Sequence, residues 1–131
     1  MVATCGTATT IDAVSLDGDF IGGMILPGLG LMLGSLAKNT AQLPQVAAAQ
    51  VAKADVPPAF ADNTRDAILS GCLAAQAGAV ERACAALPAE LCIVSGGAAG
   101  SIAPRLNVPH WMLDNIVLVG LHAAAPALAT D

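Results

Sequence analysis

The sequence predicts an α/β fold in which a mixed sheet of five strands, in the order 3-2-1-4-5, is flanked by helices. Two observations predict it. Three short apolar or β-branched segments follow one another at the start of the chain, and the turn pair Asp17-Gly18 separates the second from the third, which indicates an antiparallel meander. Helical and strand patterns then alternate. Strands that are reached through helical crossovers are expected to run parallel to the first strand.

The elements are predicted in order from periodicity and from turn residues. Pro27-Gly28 ends the third strand, and Pro88 ends a long helix whose first turn follows the cap candidates Asp62-Asn63-Thr64. The segment 45–58 is rich in Ala and Val and is interpreted as a short helical or extended excursion followed by a loop. The predicted strands are 2–5, 9–16, 20–26, 91–95 and 115–119, and the predicted helices are 29–38, 64–87, 98–106 and 121–128.

Composition limits the function classes. The 131 residues are enough for one domain, 56% of them are apolar, and the net charge is −5 with only five basic residues. A nucleic-acid surface needs clustered Lys and Arg, so no nucleic-acid partner is expected. The four cysteines show no metal-binding spacing and are interpreted as reduced thiols, with no metal site. Pro27 and several glycines interrupt the uncharged stretch 20–37, so no membrane partner is expected, and without a signal-peptide pattern the expected location is cytoplasmic.

Two glycine-containing turns are candidate ligand sites. The segment 6–10, Gly-Thr-Ala-Thr-Thr, offers N–H and O–H donors without bulk, which favours a phosphate cradle at a hairpin tip. The alternative is that its threonines are ordinary strand residues chosen for β propensity. Gly96-Gly97, between a predicted strand and a predicted helix, is either a nucleotide contact or only a tight turn.

An ordered series of motifs resembles the C-terminal half of the type III pantothenate kinases, a family that also includes proteins named Bvg accessory factor. The N-terminal half of that family, with its Asp-x-Gly-Asn-Thr loop and its Gly-Ala-Asp-Arg segment, has no counterpart in these residues. The motifs are Gly6-Thr7-Ala8-Thr9-Thr10-Ile11-Asp12, Gly22-Gly23-Met24-Ile25-Leu26-Pro27-Gly28, Thr40-Ala41-Gln42-Leu43-Pro44, Asn63-Thr64 with Ala67-Ile68 and Gly71, and Ser95-Gly96-Gly97.

The resemblance implies an ATP-dependent pantothenate kinase, acting in the first step of coenzyme A biosynthesis with ATP and Mg²⁺. It also implies the ribonuclease-H-like unit of the acetate and sugar kinase and actin superfamily, with residues 1–131 as one domain. The catalytic aspartate is expected in the other half, so no catalytic residue is assigned here. The implied site residues are Gly6, Thr7 and Ala8 at the ATP phosphates, Gly96, Gly97 and Ala98 beside the adenosine, and Thr64 at pantothenate across a dimer interface.

Several alternatives stay open. Many family members carry an aspartate at the position of Thr4, where it holds a monovalent cation, K⁺ or NH₄⁺; threonine cannot supply that charge, so the cation is left open. Thr64 is either a substrate contact or a helix cap. Gly71 and Gly78 on the long helix favour a homodimer built on 64–87. The alternative to a kinase half is a non-catalytic accessory or dimerisation module.

Overall fold

The computed structural model of the protein describes residues 1–47 and 57–128, so the predicted excursion at 45–58 lies largely outside the described residues. The elements are β1 Val2–Cys5, β2 Ala8–Val14, β3 Phe20–Pro27, α1 Leu29–Asn39, α2 Thr64–Ala86, β4 Cys92–Ser95, α3 Ala99–Ile102, a 3₁₀ turn Ala103–Arg105, β5 His110–Met112 and α4 Ile116–Leu128.

The sheet has the predicted number of strands and the predicted strand order. Its five strands lie in the order β3-β2-β1-β4-β5. The pairs β1/β2 and β2/β3 are antiparallel, whereas β1/β4 and β4/β5 are parallel. The predicted meander and the predicted crossover to a parallel β4 are therefore confirmed. Because β1 and β4 run in the same direction, with Thr4 opposite Ser95, their carboxyl ends lie at the same edge of the sheet.

The prediction for the last strand is wrong. The fifth strand is His110–Met112, and residues 116–119 belong to α4 instead. Asn115 takes a left-handed conformation with φ 54°, and its carbonyl accepts the amide of Val119 at 3.1 Å. Asp and Asn tolerate such turns because their short side chains satisfy the local backbone. The Asp114-Asn115 turn therefore starts a helix in a sequence whose Ile and Val residues favour a strand.

One face of the sheet packs against α1 and α2. Alternate strand residues point into this core, which follows from the two-residue period of a strand. The largest fully buried side chains of the core are Ile11, Leu29, Leu33, Leu73, Ile102, Gln76, Val80, Val94, Thr9, Cys5 and Cys92. Two of these side chains, Thr9 and Gln76, are polar. No helix in the described ranges is long and apolar enough to cross a membrane.

The N-terminus of α2 is capped by Asn63. Its Oδ1 accepts the amide of Asp66 at 3.0 Å, and its Nδ2 donates to Asp66 Oδ2 at 2.8 Å. The first bond satisfies a backbone donor that a helix start leaves open, and the second holds the two side chains together. Thr64 is the first residue of the helix and not its cap, so the capping interpretation of Thr64 is wrong.

Candidate functional site: a hairpin tip beside a glycine turn

The turn between β1 and β2 is compact and open to solvent. Gly6 donates its amide to the carbonyl of Ala8 at 3.0 Å, and Gly6, Thr7 and Ala8 are all exposed. The three predicted phosphate contacts therefore lie together at the end of the hairpin, and this hairpin tip is defined as residues 6–8.

The structure distinguishes among the hydroxyls that the sequence left equivalent. The Thr9 hydroxyl donates to Gln76 Oε1 at 2.6 Å in the core, and the Thr10 hydroxyl donates to Asp12 Oδ2 at 3.2 Å. Thr7 is the exposed threonine of the three. Of the candidate phosphate donors, Thr7 is thus the one that a ligand reaches first.

The start of α1 supports the hairpin tip from behind. The amide of Gly28 donates to the carbonyl of Thr7 at 2.9 Å. A Cβ on Gly28 would contact the carbonyl oxygens of Gly6 and Thr7 and would lie 2.8 Å from the Thr7 carbonyl carbon. Real Cβ atoms do not approach backbone so closely, so glycine is required there. Gly28 belongs to one of the motifs found in the sequence, but the motif alone does not indicate that this residue supports the tip.

The glycine turn after β4 lies against Cys5, the residue that precedes the tip. Gly96 has φ +96°, and a Cβ on it would lie 2.5 Å from the Cys5 carbonyl oxygen. Ala98 donates its amide to that same oxygen at 3.0 Å. The predicted phosphate residues (6–8) and the predicted adenosine residues Gly96, Gly97 and Ala98 are therefore brought to one edge of the sheet.

A cleft of about 470 Å³ opens at this edge. The strand ends contribute hydroxyls, and the turn before α4 contributes Asp114 and Asn115, which the sequence did not predict as site residues. An Asp-Asn pair in front of an apolar run is a helix-start signal that could have revealed them. The described lining is Thr4, Ser95, Gly96, Gly97, Asp114, Asn115, Ile116, Val117 and Leu118. One carboxylate and no Lys or Arg stand among these described residues.

Thr64 is not among the described residues that line the cleft. It is exposed at the start of α2. One helical turn further on, a groove of about 330 Å³ separates α1 from α2. Its lining is Met32, Ser35, Leu36, Ala67, Ile68, Gly71, Cys72 and Ala75.

The thiols near the strand ends are protonated. Burial raises the pKa of Cys5, and burial together with the neighbouring Cys84 raises the pKa of Cys92 from 9.0 to about 11. A thiolate is the nucleophilic form of cysteine. These buried thiols therefore serve the packing of the sheet rather than covalent chemistry at the cleft.

Comparison with known proteins identifies the family. The family described as type III pantothenate kinase matches residues 1–86. The chain belongs to the type III pantothenate kinase family. Relatives called type III pantothenate kinase are 61% identical in Janthinobacterium sp. (strain Marseille) and 60% identical in Herminiimonas arsenicoxydans, and each match covers 95% of this chain and 49% of the relative. The chain thus spans about half the length of the curated relatives it matches.

A solved structure of a Baf family protein from Campylobacter jejuni has the same fold. Its TM-score is 0.74 at 19% sequence identity, covering 99% of this chain and 58% of that protein. The pantothenate kinase family match extends over the hairpin tip, Gly28 and α2, so those parts of the site lie within the family region. The resemblance to the C-terminal half of a type III pantothenate kinase is thereby confirmed.

Proposed function

We propose that this chain is the ATP-positioning half of a kinase that transfers the γ-phosphate of ATP to pantothenate, the first step of coenzyme A biosynthesis. The observation that carries the proposal is that the hairpin tip and the Gly96-Gly97 turn follow the parallel strands β1 and β4 at one edge of the sheet, where the glycine turn lines the cleft. The family membership supplies the reaction. The sheet order and the crossover support placing this domain in the acetate and sugar kinase and actin superfamily.

The hairpin tip suits a phosphate chain because its side chains are small and leave the backbone open to a ligand. Phosphoryl transfer requires mainly that the protein position its reactants and stabilise charge. In this proposal Thr7 donates its hydroxyl to a phosphate oxygen, while Gly6 and Ala8 allow close approach of the backbone. Gly96, Gly97 and Ala98 then border the adenosine.

Charge neutralisation is divided between this chain and other groups. The described lining of the cleft carries Asp114 and no basic side chain, so ATP is proposed to bind as its Mg²⁺ complex. The first phosphate loop and the catalytic carboxylate are assigned to the other half of the family architecture. Thr4 presents a hydroxyl where the resemblance implies an aspartate in many family members, and a monovalent cation is therefore left out of the proposal.

The exposed side of α2 is proposed as the homodimer surface. Gly71 and Gly78 are exposed, they lie two helical turns apart, and a Cβ on either would meet no heavy atom within 4 Å. Small residues on one helix face let a second helix approach closely. Thr64, at the start of the same helix and outside the described lining of the cleft, is proposed to contact pantothenate across this dimer interface.

A Thr7→Val substitution in the complete kinase tests the proposal. Loss of a hydrogen bond to a charged group costs about 1.5–3 kcal/mol, so kcat/KM for ATP should fall by roughly tenfold to a hundredfold. Thr10→Val is the matched control, because its hydroxyl is committed to Asp12. ADP release coupled to NADH oxidation measures both variants.

Two outcomes would contradict the proposal in different ways. Equal kcat/KM values for the Thr7→Val and unaltered enzymes would remove Thr7 from the phosphate site. A complete protein that releases no ADP with pantothenate would favour the accessory or dimerisation module instead.

A further inference from the structure

A buried side-chain amide on α2 links this helix to three other elements, β2, β3 and α1. Gln76 of α2 is fully buried, as is Thr9 of β2. The Oε1 atom of Gln76 accepts a hydrogen bond from the Thr9 hydroxyl at 2.6 Å, and its Nε2 atom donates to the Pro27 carbonyl at 2.7 Å. The same nitrogen lies 3.4 Å from Met32 Sδ of α1. One side chain therefore connects α2 to both strands of the outer hairpin and to α1.

The chemistry of the partners fixes the orientation of this amide. Proline has no N–H, and its carbonyl can only accept, so the NH₂ group of Gln76 must face Pro27. The amide oxygen then faces Thr9, whose hydroxyl must donate. Every polar atom of the group has a partner, and the reverse orientation would leave two acceptors facing each other at 2.7 Å.

The two bonded partners lie beside the two chain segments that shape the tip. Thr9 follows the tip on β2. Pro27 immediately precedes Gly28, whose amide donates to the Thr7 carbonyl at 2.9 Å. The amide of Gln76 thus ties the chain leaving the tip to the chain that supports it.

Packing alone does not explain a glutamine at this position. The neighbouring buried positions on α2 include Leu69, Leu73 and Val80, all of them apolar. Burying an amide costs free energy unless all of its hydrogen bonds are made. An apolar side chain would satisfy the core but would leave the Thr9 hydroxyl and the Pro27 carbonyl without this partner.

We propose that Gln76 is a positioning residue for ATP, setting the position of the hairpin tip relative to the start of α1. This inference rests on the proposed function, because the tip is taken as the phosphate site. Gln76 itself touches no substrate.

The first test replaces Gln76 by Met in the complete kinase. Methionine keeps the length and removes both hydrogen bonds, so the tip should lose its register against Gly28. We expect KM for ATP to rise about tenfold, equivalent to about 1.4 kcal/mol, with KM for pantothenate changed less than twofold. Ser70→Ala is the matched control: Ser70 is also buried on α2, but its hydroxyl donates to the Pro58 carbonyl at 2.8 Å, away from the tip. It should leave KM for ATP unchanged.

A Gln76→Glu substitution provides a readout that loss of stability alone does not give. A protonated carboxyl keeps a donor for the Pro27 carbonyl and an acceptor for the Thr9 hydroxyl, whereas a carboxylate offers acceptors only. The three hydrogen-bond partners of this side chain, Thr9, Pro27 and Met32, do not titrate. Burial raises a carboxyl pKa, so KM for ATP should be close to that of the unaltered enzyme at low pH and should increase as the pH rises through that pKa. This variant keeps the test valid even if Gln76→Met does not fold.

The outcomes separate the two proposals. If the unaltered kinase is active and the Gln76 variants change KM for ATP no more than Ser70→Ala does, the positioning role is wrong while the proposed function stands. Equal changes in KM for ATP and KM for pantothenate in the Gln76 variants would also overturn the positioning role. If the unaltered protein does not phosphorylate pantothenate, the proposed function fails, and calorimetric titration of ATP into the same variants decides the role of Gln76 independently.

Discussion

Replacing Gly96 by alanine should disrupt the junction between the hairpin tip and the turn after β4. Gly96 has φ +96°, a conformation that costs an L-residue about 1–2 kcal/mol. A Cβ there would lie 2.5 Å from the oxygen, 2.7 Å from the carbon and 2.8 Å from the nitrogen of Cys5. All three are backbone atoms and cannot rotate away.

The magnitude follows from what must move. Relieving the contact moves β1 away from the turn and strains the hydrogen bond from the Ala98 amide to the Cys5 carbonyl, which is 3.0 Å long. Loss of a hydrogen bond of this kind lowers the free energy of unfolding by about 0.5–1.5 kcal/mol. Together with the backbone conformation, the free energy of unfolding should fall by about 2–3 kcal/mol. Urea unfolding, followed by circular dichroism, measures this as a lower midpoint at a nearly unchanged slope.

Gly97→Ala is the matched control. A Cβ at this neighbouring position meets no heavy atom within 4 Å, so the free energy of unfolding should change by less than about 0.5 kcal/mol, as for surface substitutions away from special backbone sites. In the complete kinase it should instead raise KM for ATP, since the methyl would point into the space assigned to adenosine. Equal losses of stability in the two variants, or a loss below about 1 kcal/mol for Gly96→Ala, would refute the account of this junction.

Two further predictions concern α2 and the thiols. Gly71→Leu should leave the monomer folded, because a Cβ there meets no heavy atom within 4 Å, but it should dissociate the proposed homodimer. Ultracentrifugation showing an intact dimer would exclude this helix face as the interface. The pKa of Cys92 is about 11 in the folded chain and 9.0 as an ordinary thiol, so the unfolded chain loses its proton first and stability should fall as the pH rises from about 9 to about 11. Urea midpoints for Cys92→Ala should fall less steeply across that range, and identical slopes would contradict the shift.

The parts of the fold that depend on residues close together in sequence could be predicted. The meander follows from alternation around Asp17-Gly18, and the six residues proposed for the nucleotide site lie at turns that contain glycine. The fifth strand could not be predicted in this way, because Ile116 to Val119 have strand propensity while the turn at Asn115, with its φ of 54°, decides in favour of a helix. Local propensity is a weak guide when turn geometry opposes it.

The support behind the hairpin tip was hidden for a different reason. Gln76 stands in an Ala-rich helix, where a lone glutamine resembles a solvent-facing residue. Its partners are 67 residues away at Thr9 and 49 away at Pro27. No spacing rule connects residues so distant in sequence, and only the packing of α2 against the hairpin brings them together. The same holds for Asp114, which reaches the cleft because β5 lies beside β4.

The most direct test of the central claim is pantothenate-dependent ADP release, measured side by side for the complete kinase and for the 131-residue chain after removal of host kinases. Transfer needs both reactants held within about 3–3.5 Å of reaction geometry, together with a base or orienting group near the attacking hydroxyl. In the proposed function, the chain supplies the ATP side of that arrangement. We therefore predict turnover by the complete kinase and background release by the chain alone. Turnover by the chain alone, or none by the complete kinase, would contradict the assignment of this chain as the ATP-positioning half.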